Sequence, residues 1–351
     1  MNTKVFDLKN YSSERNSALK YSADIIKAGG LVVFPTETVY GLGADATNES
    51  AVASIYTAKG RPSDNPLIIH VASADEAERY TYTNKLYYKL ADAFMPGPLT
   101  VVLKAKNTIP MKTRGGLDTV AVRCPSNEIA RELIRLSGCP IAAPSANISG
   151  SPSPTNALHV IDDMNGKVDV IIDGGNCDVG VESTIVKIES DDSVTLLRPG
   201  RVTVEELAEV VGNIKIADAV TSELKNGEVA LSPGMKYRHY APRAEFLLLN
   251  GDAKAIVEYI KNKEQRNIAI IMYNEDFDFV SQQIPYAKVY PFGKNEDKQE
   301  QARLLFFTLR EIDKMSFDII FAPLPEKDGI GLALYNRMIR AAAHKIINLR
   351  R

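Results

Sequence analysis

The chain has 351 residues, 45% hydrophobic and 25% charged, which is enough for two folded domains with substantial cores. Its formal net charge of −2 disfavours a dedicated nucleic-acid-binding protein, because that class usually carries a basic excess. Three cysteines without CxxC spacing, a polar N-terminus and no apolar run of roughly 20 residues predict a soluble cytoplasmic protein rather than a secreted or membrane protein.

The first two hundred residues alternate short apolar runs with amphipathic segments. Apolar side chains recur at helical spacing in residues 17–28, 49–59, 128–136 and 204–211. Asn48 is the expected N-cap of the second of these helices, and Gly60 is its expected end. Runs of strand length occupy residues 31–34, 67–71, 99–103, 120–123, 141–143, 168–172, 183–188 and 195–197. Because strands outnumber helices, we expect an α/β domain with a mixed sheet.

The pattern weakens after Asn213, and residues 232–242, SPGMKYRHYAP, are typical of an ordered linker with proline near both ends. Beyond it, strands at 246–249, 268–272, 288–290 and 319–322 alternate with helices at 253–261, 297–314 and 331–346. This order predicts a small doubly wound parallel sheet. We therefore expect a domain at 1–212, a linker or lid at 213–244 and a second domain at 245–351.

The common phosphate and hydrolase motifs are absent from the sequence. It contains no GxxxxGK[ST] loop, no GxGxxG after a strand, no HExxH pair and no GxSxG turn. Its four histidines do not lie at metal-ligand spacing, so we predict no metal site built from protein side chains. Phosphate, if bound, must be held by cationic side chains and irregular loops.

Two polar segments follow predicted elements and suit such a role. Lys59 and Arg61 flank Gly60 at a helix end, where an ammonium and a guanidinium could together grip an oligophosphate. The alternative is that Lys59 only complements the helix dipole and Arg61 is solvated.

Ser145 and Asn147 follow a buried strand, at the sheet edge where α/β proteins bind ligands. The alternative is an ordinary surface loop, in which Ser, Pro and Asn are common.

Other residues are candidates with equally plausible structural roles. The segment after the first predicted strand, PTETVYGLG, offers Thr36 and Thr38 hydroxyls but is also typical of a strand-ending turn. Arg123 ends an apolar strand, where a charge requires a carboxylate or an anionic ligand. His70 lies inside another apolar strand, where a satisfied core histidine is the commoner explanation.

Taken together, these segments resemble the Sua5/YrdC family of threonylcarbamoyl-AMP synthases. Family-like motifs occur in order from Pro35 to Gly200: PTETVYGLG, KGRPSDNPL, PGPLT, VAVRCP, APSANISG, GVESTIV and LRPG. The family's Lys-x-Arg and Ser-x-Asn tetrad is present as Lys59, Arg61, Ser145 and Asn147. The SPGMKYRHYAP linker resembles the longer two-domain Sua5 form, which implies a YrdC-like twisted mixed sheet and a smaller Rossmann-like C-terminal domain.

The resemblance implies a reaction and its participants. L-threonine, bicarbonate and ATP, with Mg²⁺ accompanying the nucleotide, give threonylcarbamoyl-AMP and pyrophosphate. A downstream complex then transfers the threonylcarbamoyl group to adenosine 37 of tRNA. We expect a monomer with weak or no direct tRNA binding and no membrane association.

The resemblance also assigns site residues. The catalytic set is the tetrad. The residues on the ATP side are Lys59, Arg61, Asn65, Thr119, Ser145, Asn147, Ser153, Arg198 and Tyr237. The residues on the threonine side are Thr36, His70, Arg123, Ala143 and Ser183, with Arg123 expected to clamp the amino-acid carboxylate.

Three other functions compete with this interpretation. An RNA-binding module without turnover would use a basic face that Lys104, Lys106, Lys112 and Arg114 extend. A carbamoyl-transfer maturation enzyme with the same module would carry zinc-binding cysteine pairs, which are absent here. A pure scaffold would leave the tetrad without a role.

The linker suggests a hypothesis for the second domain. Tyr237 and the neighbouring Lys236, Arg238 and His239 fold over the nucleotide as a lid, which would exclude water from a mixed anhydride that hydrolyses readily. Deletion of residues 232–351 should then lower the yield and lifetime of the adenylate, measured by quenched chromatography. Unchanged yield and lifetime would refute the lid.

Overall fold

The computed structural model describes residues 2–10, 14–222, 240–264 and 267–350. These residues divide into two compact units. The first contains the described residues up to Val220 except 150–152, and the second contains 150–152, 221–222 and the described residues from Tyr240 onward. Residues 223–239, and with them most of the predicted linker, lie outside the described part of the chain.

The helices of the first unit begin and end where local signals predict. They are α1 (Arg15–Lys27), α2 (Glu49–Lys59), α3 (Lys85–Phe94), α4 (Glu128–Ser137), α5 (Ala157–Met164) and α6 (Val204–Val210). The Asn48 side chain accepts hydrogen bonds from the first N–H groups of α2. Gly60 ends α2 in the left-handed region, with φ of 61°. Both caps of α2 are confirmed, whereas α3 and α5 were not predicted.

The strands of the first unit pair in both directions. They are β1 (Lys4–Asp7), β2 (Val32–Phe34), β3 (Gly41–Asp45), β4 (Ile68–His70), β5 (Leu99–Lys104), β6 (Thr119–Arg123), β7 (Ile141–Ala142), β8 (Val170–Asp173), β9 (Thr184–Ile188), β10 (Ser193–Arg198) and β11 (Asn213–Ile216). The described strands form one sheet in the order β1-β8-β2-β3-β7-β4-β6-β5-β9-β10-β11. Because β4 pairs parallel with β6 while β5 pairs antiparallel with it, the predicted mixed sheet is confirmed.

One edge of this sheet corrects the sequence analysis. Residues 213–216, assigned to the linker, form β11 and pair parallel with β10. The apolar signal is weak there because both Asn213 and Lys215 interrupt the run, so only sheet pairing defines the strand. Helices α1 and α4 pack together and cover the other half of the sheet through a core that includes Leu19, Ile26 and Leu133.

The second unit is a parallel sheet with intervening helices. Its strands are β12 (Glu245–Asn250), β13 (Ile268–Met272), β14 (Lys288–Pro291), β15 (Ile319–Pro323) and β16 (Ile346–Asn348). Its helices are α7 (Ala253–Lys261), α8 (Asn274–Gln283), α9 (Lys298–Asp313) and α10 (Gly331–Ala341). The strand order is β14-β13-β15-β12-β16, and these neighbouring strands all pair parallel. The predicted small parallel sheet is confirmed.

The predicted end of the last helix is wrong. Sequence analysis extended it to residue 346, but α10 ends at Ala341. Ala343 and His344 adopt positive φ values of 47° and 58°, and the chain then enters β16. No glycine marks this reversal, so the sequence offers no local stop signal. No described helix is both long and apolar enough to cross a membrane.

Gly200 gives a test of the backbone packing in the first unit. A Cβ at this position would lie 2.4 Å from the backbone nitrogen of Thr184 and 2.7 Å from the carbonyl oxygen of Glu182. Because those are backbone atoms that cannot rotate away, Gly200→Ala should lower the free energy of unfolding by about 2 kcal/mol or more, the usual scale of overpacking.

Gly212→Ala is the matched control. Its Cβ would meet only the Asp192 carbonyl oxygen, at an ordinary 3.7 Å, so stability should stay the same or rise slightly. Urea unfolding followed by circular dichroism measures both variants. Equal midpoints for Gly200→Ala and Gly212→Ala would contradict the close approach.

Candidate active site

The ammonium group of Lys59 joins the two polar segments that the sequence separates. Lys59 ends α2 and is 2% exposed. Its Nζ donates hydrogen bonds to the carbonyl oxygens of Ser145 and Asn147, each at 2.5 Å. The backbone N–H of Ser149 donates in turn to the Lys59 carbonyl oxygen at 2.9 Å. The helix end and the loop after β7 therefore form one structure, although more than eighty residues separate them.

The loop carrying Ser145 and Asn147 is held by the sheet and by its own side chains. An isolated antiparallel bridge pairs Ser145 with Gly41, at the start of β3. Ser145 Oγ donates to Asn147 Oδ1 at 2.5 Å, and Asn147 Nδ2 donates to the carbonyl oxygen of Ile148 at 2.8 Å. Both side chains are therefore oriented before any ligand is present.

The segment after Gly60 places a second cation beside Lys59. Arg61 is 9% exposed and donates through Nη2 to the carbonyl oxygen of Pro66 at 3.4 Å. Asn65 lies in the same turn and is 1% exposed. Its Oδ1 is buried without a hydrogen-bond donor among the described residues. A buried acceptor of this kind usually has a partner, so Asn65 fits a ligand that offers an N–H or O–H group.

Arg123 lies in a buried network with the segment after β2. Its Nη2 donates to Glu37 Oε1 at 2.7 Å, to Thr38 Oγ1 at 2.9 Å and, at a long 3.5 Å, to Thr36 Oγ1. Glu37 also accepts from the backbone N–H of Ser126 at 3.2 Å. Arg123 Nε is buried without an acceptor among the described residues. One side of the guanidinium is thus held by Glu37, and Nε remains for an anionic ligand.

Strand register places His70 beside Arg123. The two residues are partners where β4 and β6 pair in parallel, and Thr100 on β5 is the partner of Arg123 on its other side. Burial, together with the Arg123 charge, lowers the pKa of His70 to about 3. The imidazole is therefore neutral at neutral pH, and it contributes hydrogen bonding and shape rather than charge.

Ser183 connects this row to Arg198. The hydroxyls of Thr100 and Ser183 lie 2.7 Å apart. Arg198 donates through Nε to the Ser183 carbonyl oxygen at 3.0 Å and through Nη2 to Ser183 Oγ at 3.1 Å. Ser153 Oγ donates to Glu182 at 2.5 Å, next to Ser183. A residue assigned to the ATP side and one assigned to the threonine side are thus in direct contact.

Three predicted site residues lie apart from these contacts. Thr119 opens β6, about 13 Å along the strand from Arg123. Ala143 is 4% exposed and donates its N–H to the Ile68 carbonyl oxygen, so only its backbone carbonyl and methyl group could face a ligand. Tyr237 lies outside the described residues. Its predicted role, and the lid, stay hypotheses.

A large cavity in the first unit does not coincide with the site. It has a volume of about 860 Å³ and is lined by the ends of α1 and α2 together with Lys167 and Asp169. Of the predicted site residues, only Lys59 lines it. The candidate site is therefore identified by the contacts among its polar side chains and not by this cavity.

Buried charge is concentrated in the site. In the described part of the first unit, the buried lysine, arginine, aspartate and glutamate side chains are four cations and two carboxylates, namely Lys59, Arg61, Arg123, Arg198, Glu37 and Glu182. The four cations belong to the predicted site. The two carboxylates lie next to predicted site residues in the sequence and accept hydrogen bonds from others. Burying charge is costly unless an opposite charge balances it. The excess of cations therefore favours anionic ligands.

Sequence analysis did not assign Glu37 and Glu182 to the site. Glu37 appeared there only within the possible turn PTETVYGLG, and Glu182 only within the motif GVESTIV. The signal that could have found them is a carboxylate next to a predicted ligand residue, Glu37 beside Thr36 and Glu182 beside Ser183. Their partners are distant in sequence, so the pairing itself was not visible.

Family models and known proteins show which family the chain resembles over nearly its whole length. The model Sua5_yciO_yrdC, described as telomere recombination, matches residues 24–200, and the model of the threonylcarbamoyl-AMP synthase C-terminal domain matches residues 202–343. The threonylcarbamoyl-AMP synthase of Pyrococcus abyssi is 45% identical over 341 residues, which are 94% of this chain and 96% of that protein. That of Bacillus subtilis is 40% identical, with 97% of each chain covered.

The fold agrees over both units. The crystal structure of P. abyssi Sua5 complexed with L-threonine matches with a TM-score of 0.89 and 42% identity, covering 99% of this chain and 100% of that one. The matched length includes the mixed sheet with its buried cations and the parallel sheet that follows. This chain belongs to the threonylcarbamoyl-AMP synthase family, in its two-domain Sua5 form.

Proposed function

We propose that the chain converts L-threonine, bicarbonate and ATP into threonylcarbamoyl-AMP and pyrophosphate, for modification of adenosine 37 in tRNA. The observation that carries the proposal is the pair of hydrogen bonds from Lys59 Nζ to the carbonyls of Ser145 and Asn147. They bring the Lys-x-Arg and Ser-x-Asn segments to one place, as a single nucleotide site requires.

The cations suit attack at phosphorus. Threonine and bicarbonate combine, with loss of water, to N-carboxy-threonine, whose carbamate oxygen attacks the α-phosphorus of ATP. The bond from this phosphorus to the bridging oxygen of the β-phosphate breaks, and pyrophosphate leaves. Lys59, Arg61 and Arg198 would stabilise the charge on the phosphoryl oxygens. The carbamate is already anionic, so the step needs no strong general base.

Arg123 suits the amino-acid carboxylate. Its buried Nε lacks an acceptor among the described residues, and Glu37 fixes the rest of the guanidinium. Thr36, the neutral His70, Ser183 and the backbone of Ala143 would surround threonine. Since a hydroxyl group is best recognised by buried hydrogen-bonding partners, Thr36 and Ser183 are suited to select the threonine side chain.

Mg²⁺ would enter as part of the nucleotide substrate. Among the described residues no group of three His, Cys, Asp or Glu side chains could hold a metal ion. The two carboxylates of the site already accept hydrogen bonds from Arg123 and Ser153. The phosphate oxygens of ATP, rather than protein side chains, would therefore coordinate the ion.

The remaining parts of the proposal concern cellular context. The chain would act in the cytoplasm, as a monomer with weak or no direct tRNA binding, and pass its unstable adenylate to a downstream transfer complex. Residues 1–212 would form the catalytic domain, 213–244 the linker apart from β11, and 245–351 the second domain.

Pyrophosphate release tests the activity and the role of Lys59. With ATP, Mg²⁺ and bicarbonate, release should depend on threonine, and Lys59→Ala should reduce it at least a hundredfold because a fixed phosphate-binding charge is lost. Arg61→Ala should act in the same direction. A coupled pyrophosphate assay with each amino acid measures both effects.

Lys27→Ala is the matched control for Lys59→Ala. Lys27 also ends a helix, α1, but it is half exposed and pairs with Asp24. If Lys59 acted only on its helix dipole, the two substitutions would have similar small effects. Equal release with every amino acid, or no release together with RNA affinity that falls steeply with salt, would favour an RNA-binding module instead.

Glu37 gives a separate test of the threonine side. Glu37→Gln keeps the shape of the side chain but removes its charge, so the Arg123 guanidinium loses its buried partner and its fixed orientation. We expect the KM for threonine to rise about tenfold or more, while the KM for ATP changes little. Initial-rate kinetics with each substrate varied in turn separate the two constants.

Glu132→Gln controls for the loss of any glutamate charge. Glu132 pairs with Arg135 on the exposed face of α4, and exposed pairs contribute little. Both constants should stay unchanged in this variant. A parallel rise of both KM values in Glu37→Gln would indicate general disruption and would contradict a role limited to Arg123.

A further inference from the structure

The second unit contains a cavity that the proposed reaction does not use. It has a volume of about 450 Å³, within the range of small-molecule sites. Its lining combines apolar side chains, among them Ile256, Met272 and Phe279, with polar and charged side chains, namely Asp252, Lys254, Tyr273, Asp276 and Asn295. None of these residues belongs to the site in the first unit.

The cavity lies at the edge of the parallel sheet where ligands usually bind. Gly251 follows the carboxyl end of β12, Tyr273 follows that of β13, and Pro323 ends β15. In the sheet, β15 lies between β12 and β13, so the connection from β12 to β13 passes over β15. In open parallel α/β sheets, crevices outside the carboxyl ends of the strands are the common ligand sites.

The charges around the cavity disfavour a phosphate. The start of α7, which often binds phosphate in such sheets, is already capped by Asp252, whose Oδ1 accepts from the Ala255 N–H at 2.9 Å. Asp276 lies in the first turn of α8 and is partly buried at the cavity wall. Burial raises its pKa, and the negative charges of Glu275 and Asp252 add to the effect. The lining therefore carries two carboxylates, Asp252 and Asp276, against one ammonium, Lys254, and this balance favours hydrogen-bond donors over anions.

The uncharged polar groups of the lining can form further hydrogen bonds with a ligand. Burial raises the pKa of Tyr273 to about 12, so its hydroxyl stays protonated and can donate a hydrogen bond. The backbone of Asn295 is held by Glu275, which leaves its side-chain amide to offer a donor and an acceptor side by side. The Phe279 ring is 37% exposed, which is unusual for a large apolar side chain at a cavity wall.

We propose that this cavity binds a purine nucleoside that carries no phosphate. The Asp276 carboxylate accepts hydrogen bonds from the ribose hydroxyls, a role that a carboxylate plays in many nucleotide-binding sheets. The Phe279 ring stacks on the base, and the Asn295 amide pairs with the base edge. The site is distinct from the ATP site proposed in the first unit, and its test does not depend on turnover.

Calorimetry with the full chain tests the proposal. An ATP analogue with a methylene group between the α- and β-phosphorus atoms first saturates the site in the first unit, and adenosine or guanosine is then titrated. We expect one binding event per chain, with 5′-AMP at least tenfold weaker. Asp276→Asn and Phe279→Ala should each weaken the nucleoside about tenfold or more, the scale of a charge-assisted hydrogen bond or one stacked base.

Asp278→Asn is the matched control, because Asp278 is exposed on the same helix and does not line the cavity. It should bind nucleoside as the unchanged chain does. Unaltered pyrophosphate release in Asp276→Asn would show that this variant folds. Absence of nucleoside binding, equal binding in Asp276→Asn, or preferential binding of putrescine, which would indicate an amine site, would each overturn the proposal.

Discussion

The structure of the first unit depends on how its buried charges are balanced. Four cations and two carboxylates are buried in its described part, and all of them lie in or beside the site. Glu37 balances Arg123 through a 2.7 Å ion pair, and the Ser145 and Asn147 carbonyls solvate Lys59. Buried charges need compensating partners, so these contacts hold the first unit together at the same place where the candidate site lies.

Local signals were sufficient for elements that carry their own boundaries. Helix α2 spans the predicted residues because Asn48 caps its start and Gly60 ends it in the left-handed region. Strands β13 and β15 were equally clear, since buried parallel strands are continuous apolar runs. The short strand β16 was not predicted, because the helix pattern was extended to residue 346. In contrast, α10 ends at Ala341, earlier than predicted, and the backbone then adopts positive φ at Ala343 and His344 without a glycine. Such a turn is imposed by tertiary packing, and no residue type announces it.

The site residues could be predicted because they lie in family-like motifs. The contacts between them could not be predicted from the sequence. Lys59 is bonded to a loop more than eighty residues away, and Arg123 to Glu37 over a separation of 86. Such contacts follow from strand order, in which β7 lies between β3 and β4. Sequence alone allowed Arg123 to be a ligand or one half of an internal ion pair. The structure shows the internal ion pair with Glu37 at Nη2, and the role of Arg123 as a ligand of threonine stays a proposal.

The two units differ in the charges around their candidate sites. In the first unit, the buried cations Lys59, Arg61, Arg123 and Arg198 lie at or just after the ends of α2, β6 and β10, which suits phosphates and carboxylates. In the parallel sheet, the helix start that could have bound phosphate is capped by Asp252, and the cavity beside it contains Asp276. The Asp252 carboxylate accepts one N–H group at the start of α7, and its negative charge opposes an anion there. Together with Asp276 it outnumbers the one ammonium of the lining, Lys254, so the charges of this cavity differ in sign from those buried in the first unit.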